Sequence, residues 1–158
     1  MISEQGERAR EILARRLSLR AHSRKELARK LSAAGIESDV ADDAIERFAE
    51  LGLVDDEAFA SAWVEARLRT RNSSRRALHA ELREKGIAEE VAENALAAVD
   101  EHAELRGARA VAGKFVRALP HTSRLSETDQ RRLFGRLARR GFATDVVRQV
   151  LAEYSSDD

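Results

Sequence analysis

The stretch Ser23-Arg24-Lys25-Glu26-Leu27-Ala28-Arg29-Lys30-Leu31-Ser32-Ala33-Ala34-Gly35-Ile36 decides the fold, because it carries both a helix start and a helix stop. Leu27 and Leu31 are four residues apart and share one helix face. Ser23 with Glu26 three positions on forms a capping box, which starts the helix at Ser23. Gly35 falls where the chain must leave the helix with positive φ, which glycine does without strain. With Gly35 at C′, Leu31 is C3 and Ile36 is C″, the two residues that touch in a Schellman stop. A second helix follows from near Ser38, carries Val40, Ala44 and Ile45, and runs to Leu51 before Gly52 ends it.

The pattern occurs three times. Ser23 to Ile45 aligns with Ser74 to Leu96 at an offset of 51 residues, and that copy aligns with Asp129 to Leu151 at a further 55. The apolar columns are Leu27, Leu78 and Leu133; Leu31, Leu82 and Leu137; Ile36, Ile87 and Phe142; Val40, Val91 and Val146. Gly35, Gly86 and Gly141 form a glycine column. Two helices cannot bury a core alone, and a third precedes each pair. The first covers about Glu4 to Leu19, with Ile12, Leu13 and Leu17 inward. The second starts at an Asp55/Asp56 cap and carries Phe59, Trp63, Val64 and Leu68, with Phe59 and Trp63 expected in the core. The third covers about Glu101 to Leu119, with Leu105, Val111, Phe115 and Leu119. The segment from Pro120 to Ser126 is a linker. The prediction is an all-α chain of three tandem three-helix units, about nine helices, spanning 4–53, 54–100 and 101–154. Units this small are marginal alone, so neighbours should support one another in an elongated, curved repeat array.

Composition agrees. The chain has 158 residues, 43% apolar and 35% charged, so it is too apolar for a disordered tail. One Pro and eight Gly argue against an all-β fold, and the absence of Cys excludes disulfides, thiol catalysis and Cys-ligated zinc. No apolar run approaches the roughly 20 residues of a membrane span, and Met1-Ile2-Ser3-Glu4-Gln5 shows no secretory pattern. The expectation is a soluble cytoplasmic protein.

A net charge of zero hides an alternation. Residues 1–35 hold nine basic and four acidic groups, 36–66 one and ten, 67–85 seven and two, 86–105 none and six, 106–142 ten and two. The middle helix of each repeat is basic and the third is acidic. Twenty-four of the 28 cations are Arg, which suits bidentate contact with carboxylate or phosphate. The candidate partner-binding residues are Arg24, Lys25, Arg29 and Lys30; Arg67, Arg71, Arg75, Arg76, Arg83 and Lys85; and Arg131, Arg132, Arg136, Arg139 and Arg140. Pairing between neighbouring helices is the competing explanation. For Arg75 and Arg76, which open a helix where positive charge opposes the dipole, that pairing would be with Glu89, Glu90 and Glu93.

Other constellations carry less. Gly107 to Lys114 superficially resembles a phosphate loop, but it has five residues between the glycines and Phe115 after the Lys, inside a helical pattern. His22, His79, His102 and His121 lack metal-like spacing, which points to surface or capping roles. Asp42-Asp43 and Asp55-Asp56 are adjacent carboxylates, the latter explained by capping. In a helix-turn-helix reading the recognition helix would be the third of each repeat. That helix is acidic, which opposes major-groove docking. No catalytic residue, metal or cofactor is assigned.

The chain resembles the RecX family of bacterial recombinase regulators from about Ala9 to Tyr154. The most specific stretch is Glu50-Leu51-Gly52-Leu53-Val54-Asp55-Asp56-Glu57-Ala58-Phe59-Ala60, followed by Trp63 and Arg67. Its distance from Ser23-Arg24-Lys25-Glu26-Leu27 is typical, as are Glu81-Leu82-Arg83-Glu84-Lys85-Gly86-Ile87 and Leu137-Ala138-Arg139-Arg140-Gly141-Phe142. The resemblance implies a non-enzymatic protein that binds the RecA recombinase, chiefly as its filament on single-stranded DNA; a monomer is expected. It implies suppression of recombinase ATPase, strand exchange and co-protease activity. A helical-repeat DNA-binding protein acting mainly on nucleic acid is the alternative, with single-stranded DNA as a candidate partner.

Overall fold

A computed structural model describes residues 1–120 and 124–155; His121-Thr122-Ser123 of the linker lie outside it. Among the described residues the chain is all-α, with nine helices and no strand. They are α1 (Glu4–Leu19), α2 (Arg24–Ala33), α3 (Ser38–Glu50), α4 (Asp56–Arg71), α5 (Arg75–Glu84), α6 (Glu89–Leu96), α7 (Glu101–Arg117), α8 (Glu127–Arg139) and α9 (Thr144–Ser155). No helix among them is long and apolar enough to cross a membrane.

The helix boundaries follow local chemistry. Ser23 caps α2 as a full capping box with Glu26. The Asp55 carboxylate accepts the Ala58 amide at 3.0 Å and starts α4. Gly35, Gly86 and Gly141 have φ of +81°, +76° and +87°. The amides of Ile36, Ile87 and Phe142 donate to the Leu31, Leu82 and Leu137 carbonyls at 3.1, 3.0 and 3.2 Å, which is the Schellman bond. Gly52 ends α3 in the same way, its successor's amide reaching the Phe48 carbonyl at 2.9 Å. Helix α8 begins one turn before Asp129, because Ser126 is its N-cap and accepts the Asp129 amide at 3.1 Å. Asp129 therefore sits at N3.

The contacts divide the chain into two compact units. The first holds Met1–Trp63 and Glu81–Ala95. There α3 packs on α1 and α2, and Leu13, Leu27, Leu31, Ile36, Ile45 and Val54 form the core. The second holds Val64–Ala80 and the chain from Leu96 onward. There α9 packs on α7 and α8 around Val111, Phe115, Leu133, Leu137, Phe142, Val147 and Val150. Leu27, Leu31, Leu78, Leu82, Leu133 and Leu137, the residues of the two strictest columns, are all fully buried. Each such side chain contributes about 1.5–3 kcal/mol relative to exposure. Phe59 is buried, but Trp63 is only half-buried, a correction to the expectation that both are core.

Candidate partner-binding surface

In the first unit, the candidate cations stand on α2 and at the end of α5. Arg24 pairs with Glu46 at 2.9 Å in the open, an arrangement of small net value. Its backbone N–H donates to Asp56 at 2.9 Å, so the acidic pair after α3 helps to finish the start of α2. Arg29 Nη1–H donates to the Glu84 carbonyl at 3.4 Å, and the stem of Lys25 lies where a Cβ on Gly86 would stand. Both cations thus border the negative end of α5, where positive charge is favourable. Lys30 and Arg83 are exposed, and their side chains make no hydrogen bond or ion pair among the described residues.

Lys85 is engaged inward. Its ammonium lies 3.7 Å from Glu26 and 5.0 Å from the Trp63 ring centroid. The buried Glu26 carboxylate also accepts from Arg20 at 2.7 Å and from the Ser23 amide at 3.4 Å. Burial alone would raise the Glu26 pKa. The Arg20 hydrogen bond, the Ser23 amide and the charges of Arg20 and Lys85 outweigh it and hold the pKa below the ordinary value. Trp63 Nε1–H donates to Glu81 at 2.7 Å, and its ring stacks on Phe59 at 5.8 Å between centroids. His22 is buried rather than on the surface. Its Nδ1–H donates to the Arg20 carbonyl at 2.9 Å, and burial lowers its pKa.

In the second unit, Arg75 also turns inward. It is half-buried and donates Nη1–H to the Leu96 carbonyl at 2.8 Å. That bond gives Arg75 a folding role which its place at a helix start did not suggest. Arg76, its neighbour, is exposed and makes no hydrogen bond or ion pair among the described residues. Arg140 donates to the Arg71 carbonyl, closing the end of α4. The guanidinium groups of Arg132 and Arg136 lie over the Phe115 ring, their Cζ atoms 5.6 and 5.4 Å from its centroid, so both heads are drawn to a core aromatic. Arg131 pairs with Glu127 at 3.5 Å across one turn, and Arg132 with Asp129 at 3.4 Å. Arg67 is half-buried; Arg71 and Arg139 are exposed. The fifteen candidates therefore separate into cations held by the fold, chiefly Arg75 and Lys85, and cations left to solvent, chiefly Lys30, Arg76, Arg83 and Arg139. Gly107 to Lys114 lies within α7, with Gly107 buried in the middle of the helix, so its glycines form no loop.

Comparison with known proteins gives this geometry a family. A family model described as the first three-helix domain of RecX matches residues 9–48, and one described as its second three-helix domain matches 55–96. The regulatory protein RecX of Mycolicibacterium vanbaalenii is 40% identical over 162 residues, covering 95% of this chain and 86% of that protein. That of Streptomyces coelicolor is 39% identical over 155 residues, covering 96% and 81%. The crystal structure of RecX from Lactobacillus salivarius superposes with a TM-score of 0.83 at 22% identity, covering 96% of this chain and 97% of that one. The fold, the repeated three-helix pattern and the relatives agree: this chain belongs to the RecX family of regulatory proteins.

Proposed function

We propose that this protein binds the RecA recombinase, chiefly as its filament on single-stranded DNA, and restrains ATP hydrolysis, strand exchange and co-protease activity. In this way it regulates recombination and DNA repair. It acts in the cytoplasm as a monomer, without a cofactor, by occupying its partner rather than by chemistry. The observation that carries the proposal is membership of the RecX family, a family of regulators. The charge pattern supports it. Lys30, Arg76, Arg83 and Arg139 gain nothing from the fold by hydrogen bond or ion pair among the described residues, yet they are held on rigid helices. Fixed exposed cations serve an anionic partner, either phosphate or an acidic protein face. Repetition of such helices allows several weak contacts to act together.

The test is binding of the whole chain to three targets at matched salt: single-stranded DNA alone, RecA alone, and RecA assembled on single-stranded DNA. Tightest binding to the assembled filament supports the proposal. Equal affinity for bare DNA and for the filament would make it a DNA-binding protein instead.

A further inference from the structure

Two serines do the same double duty in different units. Ser23 Oγ accepts the Glu26 amide at 3.2 Å and so caps α2; its proton goes to the Lys85 carbonyl at 2.7 Å. Lys85 is the residue before Gly86, at the end of α5. Ser74 Oγ accepts the Ala77 amide at 3.1 Å and so caps α5; its proton goes to the Arg140 carbonyl at 2.7 Å. Arg140 is the residue before Gly141, at the end of α8. Both serines are fully buried. A hydroxyl has one proton to give and lone pairs to accept with, and both are used in each case. The start of one middle helix thus grips the end of the middle helix one repeat later, twice, with the same atoms.

The glycine column carries the same signature. A Cβ on Gly86 would overlap the Lys25 stem, and one on Gly141 would stand 2.7 Å from Ser74 Oγ and 3.4 Å from the Ala77 amide nitrogen. Gly35 closes α2, and a Cβ there would meet nothing within 4 Å. Gly86 and Gly141 are therefore required by close approach as well as by φ, and Gly35 by φ alone. The third repeat supplies a natural contrast. Its cap, Ser126, accepts the Asp129 amide as Ser23 and Ser74 accept theirs, but its proton goes to the Asp129 carboxylate at 2.9 Å within the same turn and grips no other helix. A carboxylate can accept an amide but cannot donate to a carbonyl.

We infer that Ser23 and Ser74 are register pins, positioning residues whose hydroxyls lock each basic middle helix onto the end of the next. The pins fix Lys25 and Arg29 against the end of α5 in the first unit and Arg76 against the end of α8 in the second. Within each unit they set the spacing of the exposed cations, Lys30 and Arg83 in the first and Arg76 and Arg139 in the second; this last consequence rests on the proposed function.

The test exploits the difference between capping and gripping. Aspartate caps helices as well as serine does, whereas threonine caps less strongly but keeps the hydroxyl proton. The chain has no cysteine, so Ala80→Cys and Ala138→Cys, both exposed and in the second unit, accept paired spin labels. The wild-type background and Ser74→Thr should give one narrow label separation. Ser74→Asp should broaden or displace it and should speed exchange of the Gly141 and Phe142 amides roughly tenfold, the loss of one buried hydrogen bond. Ser23→Asp, read at the Gly86 and Ile87 amides, repeats the test in the first unit. A Ser74→Asp separation and exchange matching those of Ser74→Thr, with Ser23→Asp exchange matching wild type, would overturn the inference. A lost separation with unchanged binding to RecA filaments would leave the pins standing and overturn only their role in spacing the cations for the partner.

Discussion

Gly35, Gly86 and Gly141 have nearly the same φ but different surroundings, so alanine at each should cost different amounts. The shared cost is the left-handed backbone penalty, about 1–2 kcal/mol, offset by about 0.4–1 kcal/mol from the stiffer unfolded chain. Gly35→Ala adds nothing further, because no atom lies within 4 Å of the new methyl. Its net cost should be about 0.5–1 kcal/mol. Gly141→Ala drives a methyl to 2.7 Å from Ser74 Oγ and 3.4 Å from backbone nitrogen. It must displace the bond to the Arg140 carbonyl, which adds about 1 kcal/mol, and strain adds about 1 kcal/mol or more. The total should reach about 2–4 kcal/mol. Gly86→Ala should fall between, since its obstacle is the stem of Lys25, which can move in part. For a chain of this size each kcal/mol lowers Tm by roughly 2–4 °C. Thermal and urea unfolding followed by circular dichroism read the series directly. Equal losses at all three positions would refute the account of the joints, as would a larger loss at Gly35.

Glu26→Gln should destabilise the protein at pH 7 by about 1–3 kcal/mol, the range for hydrogen bonds to a charged group. The folded pKa of Glu26 is depressed, so its stabilisation is present above the unfolded value of about 4.3 and is lost as pH falls through the folded value. Denaturation at pH 7 and pH 3 checks that the gap to wild type closes in acid. Trp63, the single tryptophan, should show intermediate emission and partial quenching by acrylamide, and Trp63→Ala should cost about 2 kcal/mol, below the value for a fully buried ring. Arg75→Ala should cost about 1 kcal/mol by removing the bond to the Leu96 carbonyl. Arg76→Ala should change stability by less than about 0.5 kcal/mol yet weaken binding to the RecA filament, which unfolding curves and filament titrations separate.

Most of the fold was legible because its signals are local. Capping boxes, Schellman glycines and leucines four apart act within a few residues, so Ser23, Gly35, Leu27 and Leu31 set their helix before any tertiary contact. The repeat alignment did not fix the start of α8, because it begins at Asp129 while the cap is Ser126, three residues earlier. What stayed hidden is long-range. The Ser23 and Ser74 grips reach across 62 and 66 residues, and nothing near Glu26 in sequence indicates that Lys85 will come to it. The inward turn of Arg75 escaped for the same reason, since its acceptor is a backbone carbonyl that any residue would provide. Charge patterning marked cationic helices correctly but could not separate cations held by the fold from cations offered to a partner.

The most direct test of the central claim is the rate of RecA-dependent ATP hydrolysis on single-stranded DNA, measured with increasing amounts of this protein and of a Lys30→Glu, Arg76→Glu, Arg139→Glu variant. The wild-type chain should suppress hydrolysis at substoichiometric to equimolar ratios to RecA. Added salt should weaken the effect, and the folded triple variant should lose most of it. Hydrolysis unchanged by saturating wild-type protein would contradict the account.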